Sequence, residues 1–264
     1  MFPNRIKQIA QEGGTVLNGW LHIPSTWSAE ILARQDWDSL VIDMQHGMMG
    51  LDSTIPMIQA IQLGGNLPMV RVPWHDPGLM MRLLDVGALG IICPMVNTAD
   101  QCAAFVGACR YPPLGYRSLG PTRARVAISE NYLHEANEQI LTFAMIETAQ
   151  AMRNLEAICA TPGLDAIYVG PGDLRLTLFG EGGIDVEEEA FLEVLERIVR
   201  VAKQHQLIAG IHTGSAAYAQ KMMAMGFQFI TLLSDGNLLA SASSAILAET
   251  RSGKSGPAGK GQIY

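Results

Sequence analysis

Eight short apolar runs recur along the chain, at residues 16–22, 39–43, 67–72, 88–94, 140–146, 164–169, 207–212 and 227–233. Each is continuously apolar instead of alternating, the pattern of strands covered on both faces. A helix-like segment follows each run, with recognisable punctuation. Asp76-Pro77 sets a capping carboxylate before a proline at the first helical position, and Gly87 stops that helix. Thr148 caps a helix that Pro162-Gly163 ends, and Pro112-Pro113 closes the one begun near Thr98. Asp185 leads into Glu187, Glu188 and Glu189, acidic charge at the positive end of a helix dipole.

Eight strand–helix units predict a closed parallel barrel, the (β/α)8 or TIM fold. A doubly wound open sheet is the alternative. It needs no eighth strand and usually begins with a glycine-rich first turn, whereas no GxGxxG or Walker sequence occurs here. The 264 residues suit one barrel of about 250 residues, and no linker or repeat divides them. The expectation is a single domain, 1–264. Two stretches exceed a minimal barrel: residues 110–139, and a tail at 250–264 whose Gly, Ser and Lys predict flexibility.

Composition narrows the function. Only 16% of residues are charged, with 25 acidic against 18 basic. That balance argues against a nucleic-acid protein, which needs clustered Lys and Arg. No apolar stretch approaches the roughly 20 residues of a membrane span. The polar first 14 residues lack the apolar centre of a signal peptide. Cys93, Cys102, Cys109 and Cys159 form no CxxC pair, which suits free thiols in a reducing cytoplasm. So little charge also predicts a buried subunit face, and the Met-, Ile- and Ala-rich segments 51–63 and 215–225 are its candidates.

Active sites of this fold lie at the C-terminal strand ends. There the sequence sets Trp20 and His22, Asp43 and His46, Arg71, Pro94, Glu147, Gly170 to Asp173, His212, and Ser234 with Asp235. Glu147 and Asp173 close neighbouring strands, about 4.8 Å apart, so both carboxylates can reach one cation. Mg²⁺ commonly takes one or two carboxylates and completes its shell with water and substrate. The alternative is that both merely cap helices. Val169-Gly-Pro-Gly-Asp-Leu174 turns into a helix and presents N–H groups to an anion. Arg71 in the mouth calls for an anion, or for an ion pair with Asp43 or Asp85. His46 can exchange protons near neutrality. All five lysines (7, 203, 221, 254 and 260) lie away from strand ends, which disfavours Schiff-base chemistry.

These motifs have a known pattern. Ile42-Asp-Met-Gln-His-Gly47, Arg71, Asp85-Val-Gly-Ala88, Pro94-Met-Val, Arg110-Tyr-Pro-Pro-x-Gly-x-Arg117, Ile146-Glu147 and Val169-Gly-Pro-Gly-Asp-Leu174 follow the order of the HpcH/HpaI aldolase/citrate lyase family. The chain most resembles its class II, metal-dependent pyruvate aldolases, from about Gly19 to Ala248. The resemblance implies a TIM barrel of the phosphoenolpyruvate/pyruvate-binding type, with the last helix exchanged between subunits of a trimer or a dimer of trimers, a homohexamer. It implies a lyase that reversibly cleaves 4-hydroxy-2-oxo acids to pyruvate or hydroxypyruvate plus an aldehyde, through a metal-stabilised enolate. Glu147 and Asp173 would bind Mg²⁺, Mn²⁺ or Co²⁺, and the amides of Gly172 and Asp173 would hold the substrate carboxylate. Arg71 would stabilise the enolate oxygen. His46 would handle protons, helped by Asp43 and by Asp85 from a neighbouring subunit.

Three positions depart from common family usage. Gln45 stands where relatives often carry Glu, Met145 where they often carry Gln, and His212 where they often carry an apolar residue. With Trp20, these are expected to contact substrate, Met145 on the pocket floor because it shares a strand face with Glu147. Two alternatives remain. One is a citryl- or malyl-thioester lyase of the same superfamily, with Arg123 and Arg125 as coenzyme A contacts; the other is a non-catalytic small-molecule-binding barrel.

Overall fold

A computed structural model describes residues 4–253. The order along the chain is α1 (Arg5–Gln11), β1 (Val16–Leu21), α2 (Thr26–Ala33), β2 (Ser39–Asp43), α3 (Leu51–Leu63), β3 (Leu67–Arg71), α4 (Pro77–Asp85) and β4 (Gly90–Cys93). Then come α5 (Ala99–Cys109), α6 (Thr122–Ala127), α7 (Tyr132–Gln139), β5 (Leu141–Ile146), α8 (Ala149–Arg153), α9 (Leu155–Cys159), β6 (Ala166–Val169) and α10 (Pro171–Phe179). The series closes with α11 (Glu189–Gln204), β7 (Ile208–Thr213), α12 (Ala216–Met225), β8 (Phe229–Leu232) and α13 (Asp235–Ser252).

All eight strands pair in parallel with their sequence neighbours, and β8 pairs with β1 to close the barrel. The eight apolar runs are these eight strands. Burial follows from the closure, because each strand has one face toward the interior and one toward the helices. Inward residues form their own core, with Val16, Trp20, Val41, Met69, Phe143, Met145, Tyr168 and Phe229 among its members. Outward residues such as Leu40, Ile42, Val70, Ile91 and Ile167 pack with the helices in a second, larger core.

Helix starts follow the sequence punctuation. The Asp76 carboxylate accepts from Leu79 N–H with Pro77 in the first turn, and Gly87 takes φ +113°. The segment after Thr148 is two short helices instead of one. They break at Asn154, whose side-chain amide donates to the Asn97 carbonyl at 2.7 Å.

Apolar residues of α3 and α12 are largely consumed against the outer face of the strands: Met57, Ile58, Ile61, Tyr218 and Met222 are buried in the outer core. The apolar surface left open lies mostly elsewhere. Helix α13 leaves Leu239, Ile246 and Leu247 exposed and buries only Asp235. Thr250–Ser252 of the expected tail end this helix, while 254–264 lie outside the described residues. Among the described residues, no helix is long and apolar enough to cross a membrane.

Candidate active site

The barrel mouth has two differently built arcs. On the β1–β3 arc, strand register places Asp43 directly beside Arg71. Asp43 is fully buried. Its carboxylate accepts from Arg71 Nε at 2.8 Å and Nη2 at 2.6 Å, a bidentate pair. It also meets His22 Nε2 at 2.8 Å and accepts from Trp20 Nε1 at 3.1 Å. The backbone N–H groups of Gln45 and His46 point to its Oδ1. Burial by itself would raise this carboxyl, but the bonds from His22, Arg71 and Trp20 outweigh it and hold the group far below the usual carboxylate range. The Arg71 guanidinium lies 4.9 Å from the Trp20 ring, which adds a cation–π contact.

On the β5–β6 arc, Glu147 has few partners. It is 1% exposed, and its Oε1 accepts one backbone bond, from Met95 N–H at 2.6 Å. Burial pushes it up to about 7; the Met95 bond and Arg71 oppose the rise, and the charge on Asp173 adds to it. Met95 adopts φ +53° to bring its amide there, a conformation unusual for a non-glycine residue. A Cβ at Gly170 would stand 2.5 Å from Glu147 Oε2, so glycine keeps this flank of the carboxylate open. Gly170 also begins α10, whose first intrahelical donor is Leu174 N–H. The Gly172 and Asp173 amides therefore belong to the first turn, which favours an anion.

This donor set fits a hard divalent cation. A buried carboxylate that resists ionisation beside a second one is relieved by positive charge. Among the described residues, no group of three or more His, Cys, Asp or Glu could close around a metal. Two carboxylates instead leave positions for water and substrate oxygens.

Between the arcs, Trp20 and Tyr168 stack at 5.8 Å, and His212 meets the Trp20 ring edge-on at 5.3 Å. Tyr168 donates to Thr231 Oγ1 at 2.8 Å. Burial lowers His212 to about 4, with the Arg71 charge next in effect, so its imidazole is neutral. Met145 is buried in the inward-facing core with Trp20 and Tyr168.

Of the sequence-selected residues, Trp20, Asp43 and Arg71 converge in one network, and Glu147 and Asp173 interact on the facing arc. The ion-pair alternative for Arg71 is realised with Asp43, in the position proposed for chemistry. His46 is exposed on the rim and joins Asp43 by its backbone. Gln45 has a buried Oε1 without a hydrogen-bond partner among the described residues. Asp85 ends α4 at the opposite end of the barrel, paired with the buried Arg117 at 2.7 Å, so this chain's own Asp85 does not join its mouth. Arg123 lies at that far end too, donating to the Val86 carbonyl, so it forms no basic groove beside Glu147.

Sequence reasoning placed His22 at a strand end without giving it a part in the site. The available signal was its i,i+2 spacing from Trp20, which puts both on the inward face. Asp235 likewise proves to anchor the mouth: its carboxylate accepts from His22 N–H at 2.8 Å and Ile23 N–H at 3.2 Å.

Residues 19–242 match the family described as HpcH/HpaI aldolase/citrate lyase. A hydroxypyruvate/pyruvate aldolase of Rhizorhabdus wittichii is 39% identical over 94% of this chain and 99% of that protein. A 4-hydroxy-2-oxovalerate aldolase of Rhodococcus jostii is 38% identical over 93% of this chain and 95% of its own length. Among solved structures, an HpcH/HpaI aldolase/citrate lyase family protein from Burkholderia cenocepacia superposes with a TM-score of 0.87 at 31% identity, covering 94% of this chain and 99% of that one.

Proposed function

Because the chain belongs to the HpcH/HpaI aldolase/citrate lyase family, we propose that it is a class II pyruvate aldolase, a carbon–carbon lyase. The reaction is the reversible cleavage of 4-hydroxy-2-oxo acids to pyruvate or hydroxypyruvate plus an aldehyde. The observation that carries this reading is the facing pair of arcs: two carboxylates on one side, and a guanidinium clamped by a buried carboxylate on the other.

Glu147 and Asp173 would hold Mg²⁺, Mn²⁺ or Co²⁺. Such a cation, when bound, supplies a Lewis acid that polarises the 2-oxo group. The Gly172 and Asp173 amides orient the substrate carboxylate at the start of α10. Arg71 faces the oxygen on which enolate charge develops. Asp43 fixes that guanidinium beforehand, so little reorganisation is needed as charge forms; a donor of this kind typically contributes about 10²–10³ in rate. His46 on the rim handles protons, helped by Asp43 and by the partner subunit's Asp85. Met145 and Trp20 line the substrate volume, with Gln45 and His212 contributing polar contacts. The exposed apolar face of α13 suits exchange of that helix in a trimer or a dimer of trimers.

The test is an aldol screen pairing pyruvate and hydroxypyruvate with a panel of aldehydes, with and without chelator. We expect carbon–carbon bond formation that chelation abolishes and Mn²⁺ or Mg²⁺ restores. Turnover surviving exhaustive chelation refutes the metal; no product from any pair refutes the aldolase.

A further inference from the structure

Glu147 stands past the end of the strand ladder beside it. Parallel pairing between β4 and β5 stops at Cys93 and Ala144, before Met95 on one strand and Glu147 on the other. Beyond that point the carboxylate receives its one backbone bond, from Met95 N–H to Oε1 at 2.6 Å. Met95 takes φ +53° to make it. Such a backbone persists only where its surroundings over-determine it, so the segment around Met95 must be held from outside.

Asn97 is placed to hold it. Its side-chain Nδ2 donates to the Met95 carbonyl at 3.0 Å, and its Oδ1 accepts from the hydroxyl of Thr148, the residue that follows Glu147. That hydroxyl has one hydrogen, directed at Asn97, while its oxygen accepts from Ala151 N–H as the cap of α8. The contacts close a ring: Glu147 to Met95, Met95 to Asn97, Asn97 to Thr148, and Thr148 back to Glu147 along the chain. The ring spans the β4–β5 gap where the ladder has ended. The backbone of Asn97 is fastened separately. Its N–H donates to Gln101 Oε1 at 2.8 Å, and its carbonyl accepts from Asn154 Nδ2 at 2.7 Å. A shorter side chain at 97 could keep both backbone bonds but could not reach from Met95 to Thr148.

We infer that Asn97 is a positioning residue for cation binding: its amide ties Met95 to Thr148 and so fixes the Glu147 carboxylate, with Oε1 held by Met95 and Oε2 beside the open flank at Gly170. The inference rests on reading Glu147 and Asp173 as the metal carboxylates. A carboxylate already held in one orientation loses less freedom when a cation arrives. Removing the bridge therefore weakens metal binding while the barrel, paired strand by strand, stays closed.

The experiment reads metal binding apart from turnover. Mn²⁺ is titrated into full-length protein, and the unbound ion is followed by electron paramagnetic resonance. The parent is compared with Asn97→Ala, Asn97→Ser, Thr148→Ser and Asn154→Ala. The Mn²⁺ dissociation constant is expected to rise about tenfold or more in both Asn97 variants. It should stay within about threefold of the parent in Thr148→Ser, which keeps the hydroxyl, and in Asn154→Ala, which loosens the same segment outside the ring. Asn97→Ser covers the case in which Asn97→Ala does not fold. Parental affinity in the Asn97 variants overturns the inference. So does an equal weakening in Asn154→Ala, which would make general loosening of the segment the cause. A parent protein that binds no Mn²⁺ even at millimolar concentration defeats the metal reading itself.

Discussion

Asp43 and Glu147 occupy similar places and behave oppositely. Both stand at the ends of inward-facing strands, and both are almost wholly buried. Asp43 is surrounded by donors and is held ionised. Glu147 has one backbone donor and an acidic neighbour, and it sits near 7. Burial alone therefore does not decide the charge of a carboxyl; the number of donors aimed at it does. The saturated carboxylate is a scaffold that aims Arg71 and His22. The undersupplied one is a carboxyl that nearby positive charge would relieve.

The contrast is broken most severely at its saturated end. Asp43→Ala strands Arg71 without its partner, and a loss of about 3–5 kcal/mol of stability is expected, together with turnover. Urea unfolding measures it, and a loss below about 1 kcal/mol would show that Asp43 is no hub. Glu147→Gln is expected to abolish turnover and yet stabilise the metal-free protein above pH 7. The sign follows from linkage. A carboxyl raised from 4.5 to about 7 binds more protons folded than unfolded, so its stabilising contribution is full below about 4.5 and is lost as pH rises through 7. The gain for Gln, on the order of 2–3 kcal/mol at pH 8 and near zero at pH 4, is read from melting curves at the two pH values. Equal gains at both would assign the effect to packing instead.

Asp43 gives the opposite profile. Its contribution is complete above its ordinary 3.8 and is lost only on strong acidification. In Glu147→Gln, therefore, stability should no longer fall as pH rises toward 7, and should instead rise with pH up to about 6.5, because His212, lowered to about 4, binds its proton more readily unfolded than folded. The smallest effect is expected from Gly170→Ala, whose new Cβ meets Glu147 Oε2. Displacing that carboxylate should lower kcat about tenfold and stability by about 1 kcal/mol, and an unchanged kcat would mean that its placement is not critical.

The barrel was legible because each strand is a local event: 39–43 reads as a strand from its own residues, and eight such runs leave one closed arrangement. Glu147 and Asp173 were legible for the same reason, lying at the ends of consecutive strands. What escaped depends on distant partners. The bond from His22 to Asp43 needs the β1–β2 register, and the anchor on His22 comes from a residue 213 positions away. Nothing near Asn154 announces that its amide turns to Asn97 and splits a helix. The apolar content of α3 was visible, but whether it faces the barrel or a neighbour depends on where the helix rests.

Asp235 has a further consequence, for the order in which the protein is made. The residues that build both arcs are all synthesised before residue 235, yet the segment carrying His22 is fastened by that late carboxylate. A nascent chain halted before β8 would hold nearly every catalytic group and still lack the closure and the anchor that set His22 in place. Competence should therefore arrive late, as a single event when the final strand and helix leave the ribosome.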